Sequence, residues 1–201
     1  MAFDVNQPLT GAQAAEFKAA GFGAVIRYIP RTSALTKGNL TAPEIAAIIG
    51  AGLSLSVVQH VSPDNWQPNE ELGANYGGYA SAYCNHIGLP EGVNVWLDLE
   101  MVNPASQPQD IIDYCTEWYD WVHGGGYEPG LYVGWQTGLS PAQLYDLPFK
   151  SYWKGYNADV PIPKRGYQII QSTQKTLNGI TYDPNVVKKD LLGDSPIFLC
   201  P

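Results

Sequence analysis

The sequence predicts an α/β fold, a (β/α)8 TIM-like barrel that is irregular, with fewer and shorter helices in its second half. Three observations point there. Short apolar or alternating runs recur about eight times, the strand number of a closed barrel. The intervals between the early runs carry apolar residues at helical spacing. The 201 residues, 45% hydrophobic and 15% charged, suit one compact domain, 1–201, with a large core and no polar stretch long enough to be a linker.

The first strand is expected at Phe3–Val5 and its helix at Thr10–Ala20, with Thr10 as the cap. Ala24–Ile29 follows, then a helix over Thr41–Gly50 that opens on Thr41. Leu53–Gln59 and Val93–Leu99 read as the third and fourth strands, separated by the helical pattern Asn69–Ile87. Gln107–His123 is the last long helix, before a strand at Gly130–Gly134. After Trp135 the spacing contracts. Pro141–Tyr145 is the one further helix expected, and the remaining strands are Ser151–Trp153, Tyr167–Gln171 and Ile180–Asp183. Loops rich in Tyr, Pro and Gly in this half leave one side open for an extended ligand.

Composition excludes several function classes. No apolar run approaches the ~18 residues of a membrane span. Eleven basic against nineteen acidic residues give a net charge of −8 and a pI near 4.7, with no basic cluster beyond Lys188-Lys189. Nucleic-acid binding is disfavoured, because counterion release from phosphates needs a basic face. Cys84, Cys115 and Cys200 are odd in number and lack metal-ligand spacing, so they read as buried or free thiols. Neither metal nor cofactor is expected, and a monomer is. The opening Met-Ala-Phe-Asp-Val has no basic and no apolar leader region, so no export signal is visible and the compartment stays open.

The informative segment is Asn94-Val95-Trp96-Leu97-Asp98-Leu99-Glu100, a strict alternation. Val95, Leu97 and Leu99 share the face that meets helices, which turns Asp98 and Glu100 into the barrel at the C-terminal end of its fourth strand. Barrel enzymes keep their chemistry there. Residues two apart on a strand have Cα atoms ~6.5–7 Å apart, close enough for one carboxylate to raise the proton affinity of the other. Glycosidic bond cleavage uses such a pairing of protonated acid and ionised partner. An isolated Asp-x-Glu is more often two solvated acids at a strand end. Here Asp4 in the first strand and Asp183 at the end of the eighth would share the same mouth. Gathering four carboxylates costs several kcal/mol per desolvated ion, so function explains such a cluster better than stability does.

Aromatic residues at or just after the expected strand ends, Trp66, Trp96, Tyr132, Trp135, Trp153, Tyr156 and Tyr182, offer faces for sugar rings, at least two of them in a ligand groove and the others in the core. Trp118 and Trp121, on a helix, read as packing residues. Arg27, charged within an apolar strand, should pair with a carboxylate, and Asp4 on the neighbouring strand is its candidate. Gln59, His60 and Gln171 end the third and seventh strands, where they can hydrogen-bond substrate, although His60 could equally be a satisfied rim residue.

With these residues in place, the chain resembles the glycoside-hydrolase-like domain catalogued as domain of unknown function 1906, itself similar to glycoside hydrolase family 25 lysozymes. The resemblance spans almost the whole chain. It is carried by Phe3-Asp4-Val5-Asn6-Gln7, Val25-Ile26-Arg27-Tyr28, Trp96-Leu97-Asp98-Leu99-Glu100, Gly130-Leu131-Tyr132-Val133-Gly134-Trp135, Tyr167-Gln168-Ile169-Ile170-Gln171 and Tyr182-Asp183-Pro184-Asn185, in that order. Family 25 enzymes are N-acetylmuramidases that cut the β-1,4 bond of peptidoglycan. The likeness therefore implies Glu100 as general acid and Asp98 as support for the substrate's 2-acetamido group, in a substrate-assisted retaining mechanism, with Asp4 and Asp183 completing the acidic set. Arg27, Gln59, Trp66, Tyr132, Trp135, Trp153 and Gln171 are the expected substrate contacts. Arg27 departs from the lysozyme pattern, and Trp96 stands where a chitinase-type motif would want another Asp. The expected ligand is peptidoglycan or a related N-acetylated glycan, which places the protein's action outside the cytoplasm. The alternative is a catalytically inactive barrel that binds glycan in the same groove.

Overall fold

The computed structural model describes residues 1–60, 63–158 and 160–201. Its centre is a closed eight-stranded barrel. β1 (Ala2–Val5), β2 (Ala24–Ile29), β3 (Ser54–Gln59), β4 (Asn94–Leu99), β5 (Glu128–Val133), β6 (Ser151–Lys154) and β7 (Ile169–Gln171) run parallel in sequence order. β8 (Lys175–Leu177) forms a hairpin with β9 (Ile180–Val187), and β9 closes the barrel between β7 and β1.

The closing strand differs from the sequence expectation. It is longer, extending to Val187 and placing Asp183 mid-strand, and it lies antiparallel to both neighbours. The reason is local. A parallel neighbour needs a crossover of about a dozen residues or more, whereas the chain leaves β7 at Gln171 and turns back at Asn178-Gly179, both with positive φ (47° and 82°). That pair suits a tight hairpin turn.

The helices are α1 (Gly11–Ala19), α2 (Ala42–Gly50), α3 (Glu70–His86), α4 (Pro108–Gly124) and the short α5 (Pro141–Asp146), as the apolar spacing predicts. Thr10 and Gln13 form a reciprocal capping box on α1. Thr41 occupies the cap of α2 without a side-chain hydrogen bond, and Pro43 stiffens that helix's first turn.

Strand alternation divides the apolar residues into two clusters. Val25, Leu55, Val57, Val95, Leu97, Leu99, Leu131 and Val133 pack outward against the helices. Ile26, Val58, Trp96, Tyr132, Trp153 and Ile169 fill the barrel. Room for the Trp96 ring comes from Gly130 on β5, where any Cβ would overlap the indole. The N-terminal end of the barrel is stopped by the C-terminal segment: Leu199 bridges Leu55, and Ile197 exchanges hydrogen bonds with Asn94. The opposite end stays open.

Candidate functional site

The open end is where the alternation of β4 delivers its acids. Asp98 is the last inward residue of the strand and Glu100 follows one residue past its end. Asp98 is in register with Tyr132 on β5, and Asp4 with Asp183 across the β1–β9 seam. The Tyr132 phenol therefore lies within the field of all four carboxylates. Burial and then the charges of Glu100, Asp98, Asp4 and Asp183 push its pKa far up.

Asp4 is wholly buried and densely bonded. Its Oδ2 accepts from Asn185 Nδ2 at 2.7 Å and Gln171 Nε2 at 3.1 Å, and its Oδ1 accepts from the Tyr28 hydroxyl at 3.2 Å. Burial nevertheless lifts its pKa from 3.8 to about 7, with Asp183 adding to the rise and the three hydrogen bonds opposing it. Asp183 is also raised, by burial.

Glu100 is pushed up to about 6, first by burial and then by the charge of Asp64, while a hydrogen bond from the Trp135 backbone opposes the rise. The sequence reading assigns that role to the neighbouring carboxylate of Asp98. The direction agrees and the causes differ. The backbone at Glu100 is held from both sides. Trp66 Nε1 donates to the Glu100 carbonyl at 2.9 Å, and Asn65 N and Asn103 N tie the two loops together through the Met101 and Trp66 carbonyls. On the other flank Met101 N donates to the Trp135 carbonyl and Val102 N to that of Gln136. Gly134 leaves the space that the Glu100 carboxylate fills, since a Cβ there would overlap it.

Two cavities flank the acids. One of about 630 Å³ is lined by Glu100, Met101, Tyr132, Tyr156, Asn157 and Gln171, and one of about 610 Å³ by Asp4, Asn6, Gln7, Lys37 and His60. They share Tyr28, Gln174 and Asp183, so they form one groove across the barrel mouth. Among the described residues no group of three His, Cys, Asp or Glu is arranged to hold a metal ion, and no helix is long and apolar enough to cross a membrane.

Several expected substrate contacts lie elsewhere. Arg27, 0% exposed, faces outward and not into the groove. It pairs with Glu44 of α2 at 2.7 Å, not with Asp4, and donates to the Val5 and Gly38 carbonyls. Odd and even positions of β2 face opposite sides, so a charge two residues from Val25 belongs to the helix layer. Gln59 also faces outward, donating to the Pro30 and Tyr76 carbonyls and accepting from Trp118 Nε1. Trp153 is buried inside the barrel with its Nε1 on Asn185, and Trp66 packs against Tyr114. Tyr182 meets Phe3, Phe17 and Phe22 and keeps an edge on the cavity of about 610 Å³. Tyr132 and Gln171 remain at the groove, joined by a hydroxyl–amide hydrogen bond of 3.1 Å, and Trp135 is 54% exposed. His60 packs against Tyr28 on the groove wall. Residues the sequence reading left without a role are Tyr28, Asn185 and Asp64. The first two share inward parity with Ile26 and Asp183, a usable signal, whereas Asp64 comes from a loop that only tertiary structure brings to Glu100.

The sequence profile of the Rv2525c-like, glycoside hydrolase-like domain matches residues 15–187. No curated protein matches the chain in sequence. Among solved structures, the Mycobacterium tuberculosis Tat-secreted protein Rv2525c, in complex with HEPES, is 17% identical with a TM-score of 0.71, over 93% of this chain and 94% of that one. An uncharacterized B. stearothermophilus protein is 16% identical with a TM-score of 0.73, over 96% and 97%. The modular autolysin LytC from Streptococcus pneumoniae, in complex with synthetic peptidoglycan ligand, is 14% identical with a TM-score of 0.61, over 92% of this chain and 45% of that one. At these identities the likeness is one of fold.

Proposed function

Because the chain belongs to the Rv2525c-like, glycoside hydrolase-like domain family, we propose that it is a glycosidase of the N-acetylmuramidase type, cutting β-1,4 bonds of peptidoglycan or a related N-acetylated glycan. The observation that carries this reading is the groove lined by Asp4, Glu100 and Asp183, with Asp98 in register with Tyr132 at the same strand ends and Glu100 held at a pKa of about 6. A general acid must keep its proton near working pH, and that value suits the task. The LytC barrel, solved with a peptidoglycan ligand, lends support at the level of fold.

In the mechanism, a glycan lies along the groove with its scissile oxygen at Glu100. Glu100 gives its proton to that oxygen as the C1–O bond breaks, and the carbonyl oxygen of the 2-acetamido group closes on C1 from the opposite face. Asp98 accepts from the acetamido N–H and balances the positive charge that develops on the ring. Water, giving a proton to the Glu100 carboxylate, then attacks C1 from the face the leaving group vacated as the C1–O bond to the acetamido oxygen breaks, so the acetamido group is restored and the anomeric configuration is retained. Asp183 lines the adjoining stretch of groove, and the buried Asp4 beneath it holds Asn185, Gln171 and Tyr28 in place.

The test is release of reducing ends from purified peptidoglycan between about pH 4 and 8, with Glu100→Gln as control. Hydrolysis is expected on the acidic side, falling as pH rises through about 6, where Glu100 loses its proton. The Glu100→Gln variant should be inactive and as stable as the parent, or more so. Binding of chitooligosaccharide or muropeptide by calorimetry with no reducing ends at any of these pH values would replace the hydrolase with a glycan-binding barrel.

A further inference from the structure

Of the six tryptophans, Trp66, Trp96, Trp118 and Trp153 are buried, and Trp135 stands beside Glu100. Trp121 is 53% exposed on α4, away from the buried stripe of Ile111, Tyr114, Cys115, Trp118 and Val122. It borders a separate cavity of about 390 Å³ lined by Ser81, Asp120, Trp121, Gly124 and Gly125. That volume lies within the usual range for small-ligand pockets, about 300–1,000 Å³.

The neighbourhood is shaped by missing side chains. A Cβ on Gly77 of α3 would fall 2.8 Å from the Trp118 carbonyl oxygen and 2.9 Å from Trp121 Cβ, so this glycine is required for the helices to meet. Gly78 is not required in that sense. A Cβ there would sit 3.7 Å and 3.9 Å from two atoms of the indole, ordinary contact, so the ring lies against the α3 surface and offers its other face outward. A Cβ on Gly124 would meet nothing within 4 Å. Gly77 and Gly78 each cost α3 about 1 kcal/mol relative to alanine, and packing does not explain the choice at Gly78.

We propose that this cavity is a second carbohydrate-binding site, which takes a neutral pyranose ring of a glycan strand. An indole face receives the C–H face of a sugar, and Asp120 and Ser81, which line the same cavity, bring polar groups for ring hydroxyls. Asp120 and the chain's net charge of −8 disfavour an anionic sugar. The site is remote from the groove. α4 ends at Gly124, just before β5 begins, at the end of the barrel opposite Glu100, so one ring cannot reach both. The protein would thus hold one strand on its flank while another lies across the mouth.

The experiment uses ¹⁵N-labelled Glu100→Gln protein titrated with N-acetylglucosamine tetramer, following the indole N–H signals. The Trp121 signal is identified from Trp121→Ala. It is expected to move saturably; Asp120→Ala should raise the Kd read from it severalfold, and Trp121→Ala, followed through the backbone N–H signals of Gly124 and Gly125, should raise the Kd at least tenfold. If the Trp121 variant does not fold, the exposed Asp120 variant carries the test. A Trp121 signal that stays fixed while the groove signals of Trp135 move overturns the proposal and leaves the groove reading intact. Movement of Trp121 with Trp135 fixed upholds the flank site and counts against the groove. Movement of neither overturns the flank site.

Discussion

Replacing Asp4 with Asn should make the protein more stable at neutral pH and leave it unchanged in acid. Folding raises the Asp4 pKa from 3.8 to about 7, so the folded state prefers the protonated form. Stability from this group is therefore complete below pH 3.8, where both states are protonated, and is lost progressively as pH rises through about 7. From those two values the loss is about 1–2 kcal/mol at pH 5 and about 4 kcal/mol at pH 8, at about 1.4 kcal/mol per pH unit. Asn can keep the network. Its carbonyl oxygen replaces Oδ2 and accepts from Asn185 and Gln171, and its NH₂ faces Tyr28, whose hydroxyl can turn and accept. For a chain of this size about 4 kcal/mol corresponds to roughly 10 °C in Tm. Thermal melts by circular dichroism at pH values from about 3 to 8 measure it, and the variant's advantage should grow with pH. An advantage that is flat with pH, or a variant less stable at pH 8, refutes the reasoning.

Arg27→Met should lower stability by about 3–5 kcal/mol by leaving the Glu44 carboxylate buried without its cation, while calorimetry shows unchanged glycan binding, since Arg27 faces α2. Gly134→Ala should cut peptidoglycan hydrolysis at least tenfold and lower Tm as well, because its Cβ would overlap Glu100 Oε2 and fall 2.5 Å from Glu100 Cβ and 2.9 Å from the Tyr132 ring; unchanged turnover would show that Glu100 does not act from that position. Trp66→Phe removes the 2.9 Å indole hydrogen bond to the Glu100 carbonyl, worth about 1 kcal/mol, and should lower kcat at constant KM and move the alkaline limb of the pH profile.

Legibility in the sequence followed the parity of the strands. The alternation from Asn94 to Glu100 was sufficient to turn Asp98 and Glu100 into the barrel, and helical spacing located α1 to α5 within a residue or two of their ends. The same parity, applied to Arg27 and Gln59, would have turned them outward, but polarity at a strand end drew them to the groove instead. Trp153 and Trp66 were misplaced because position along a strand does not distinguish an indole stacked in the core from one open to ligand. The reversal of β9 is also legible in the sequence, in Asn178-Gly179 between Leu177 and Ile180, a turn pair that overrides the eighth parallel strand a (β/α)8 pattern implies. Asp64 was out of reach, since its effect on Glu100 arises from loops joined by Trp66 and Met101.

Among the described residues, three of the five non-glycine positions with left-handed backbone angles gather at one end of the barrel, Lys164 and Asn178 being the other two. Asn65, Met101 and Gln136 adopt left-handed backbone angles, with φ of 59°, 51° and 58°, and all three lie in the loops that clasp Glu100. Each such residue costs on the order of 1 kcal/mol or more. Asp4 adds its pH-dependent penalty a few residues away across the mouth. The other end is closed by ordinary means, with a bridge from Leu199 to Leu55 and the hydrogen bonds of Asn94. A fold selected for stability alone would have no reason to concentrate strain and buried charge around one carboxylate. Mutations that relieve strain at this end should therefore stabilise the protein and weaken whatever the groove does, whereas cavity-forming mutations in the strand–helix layer should lower stability and leave the groove's chemistry intact.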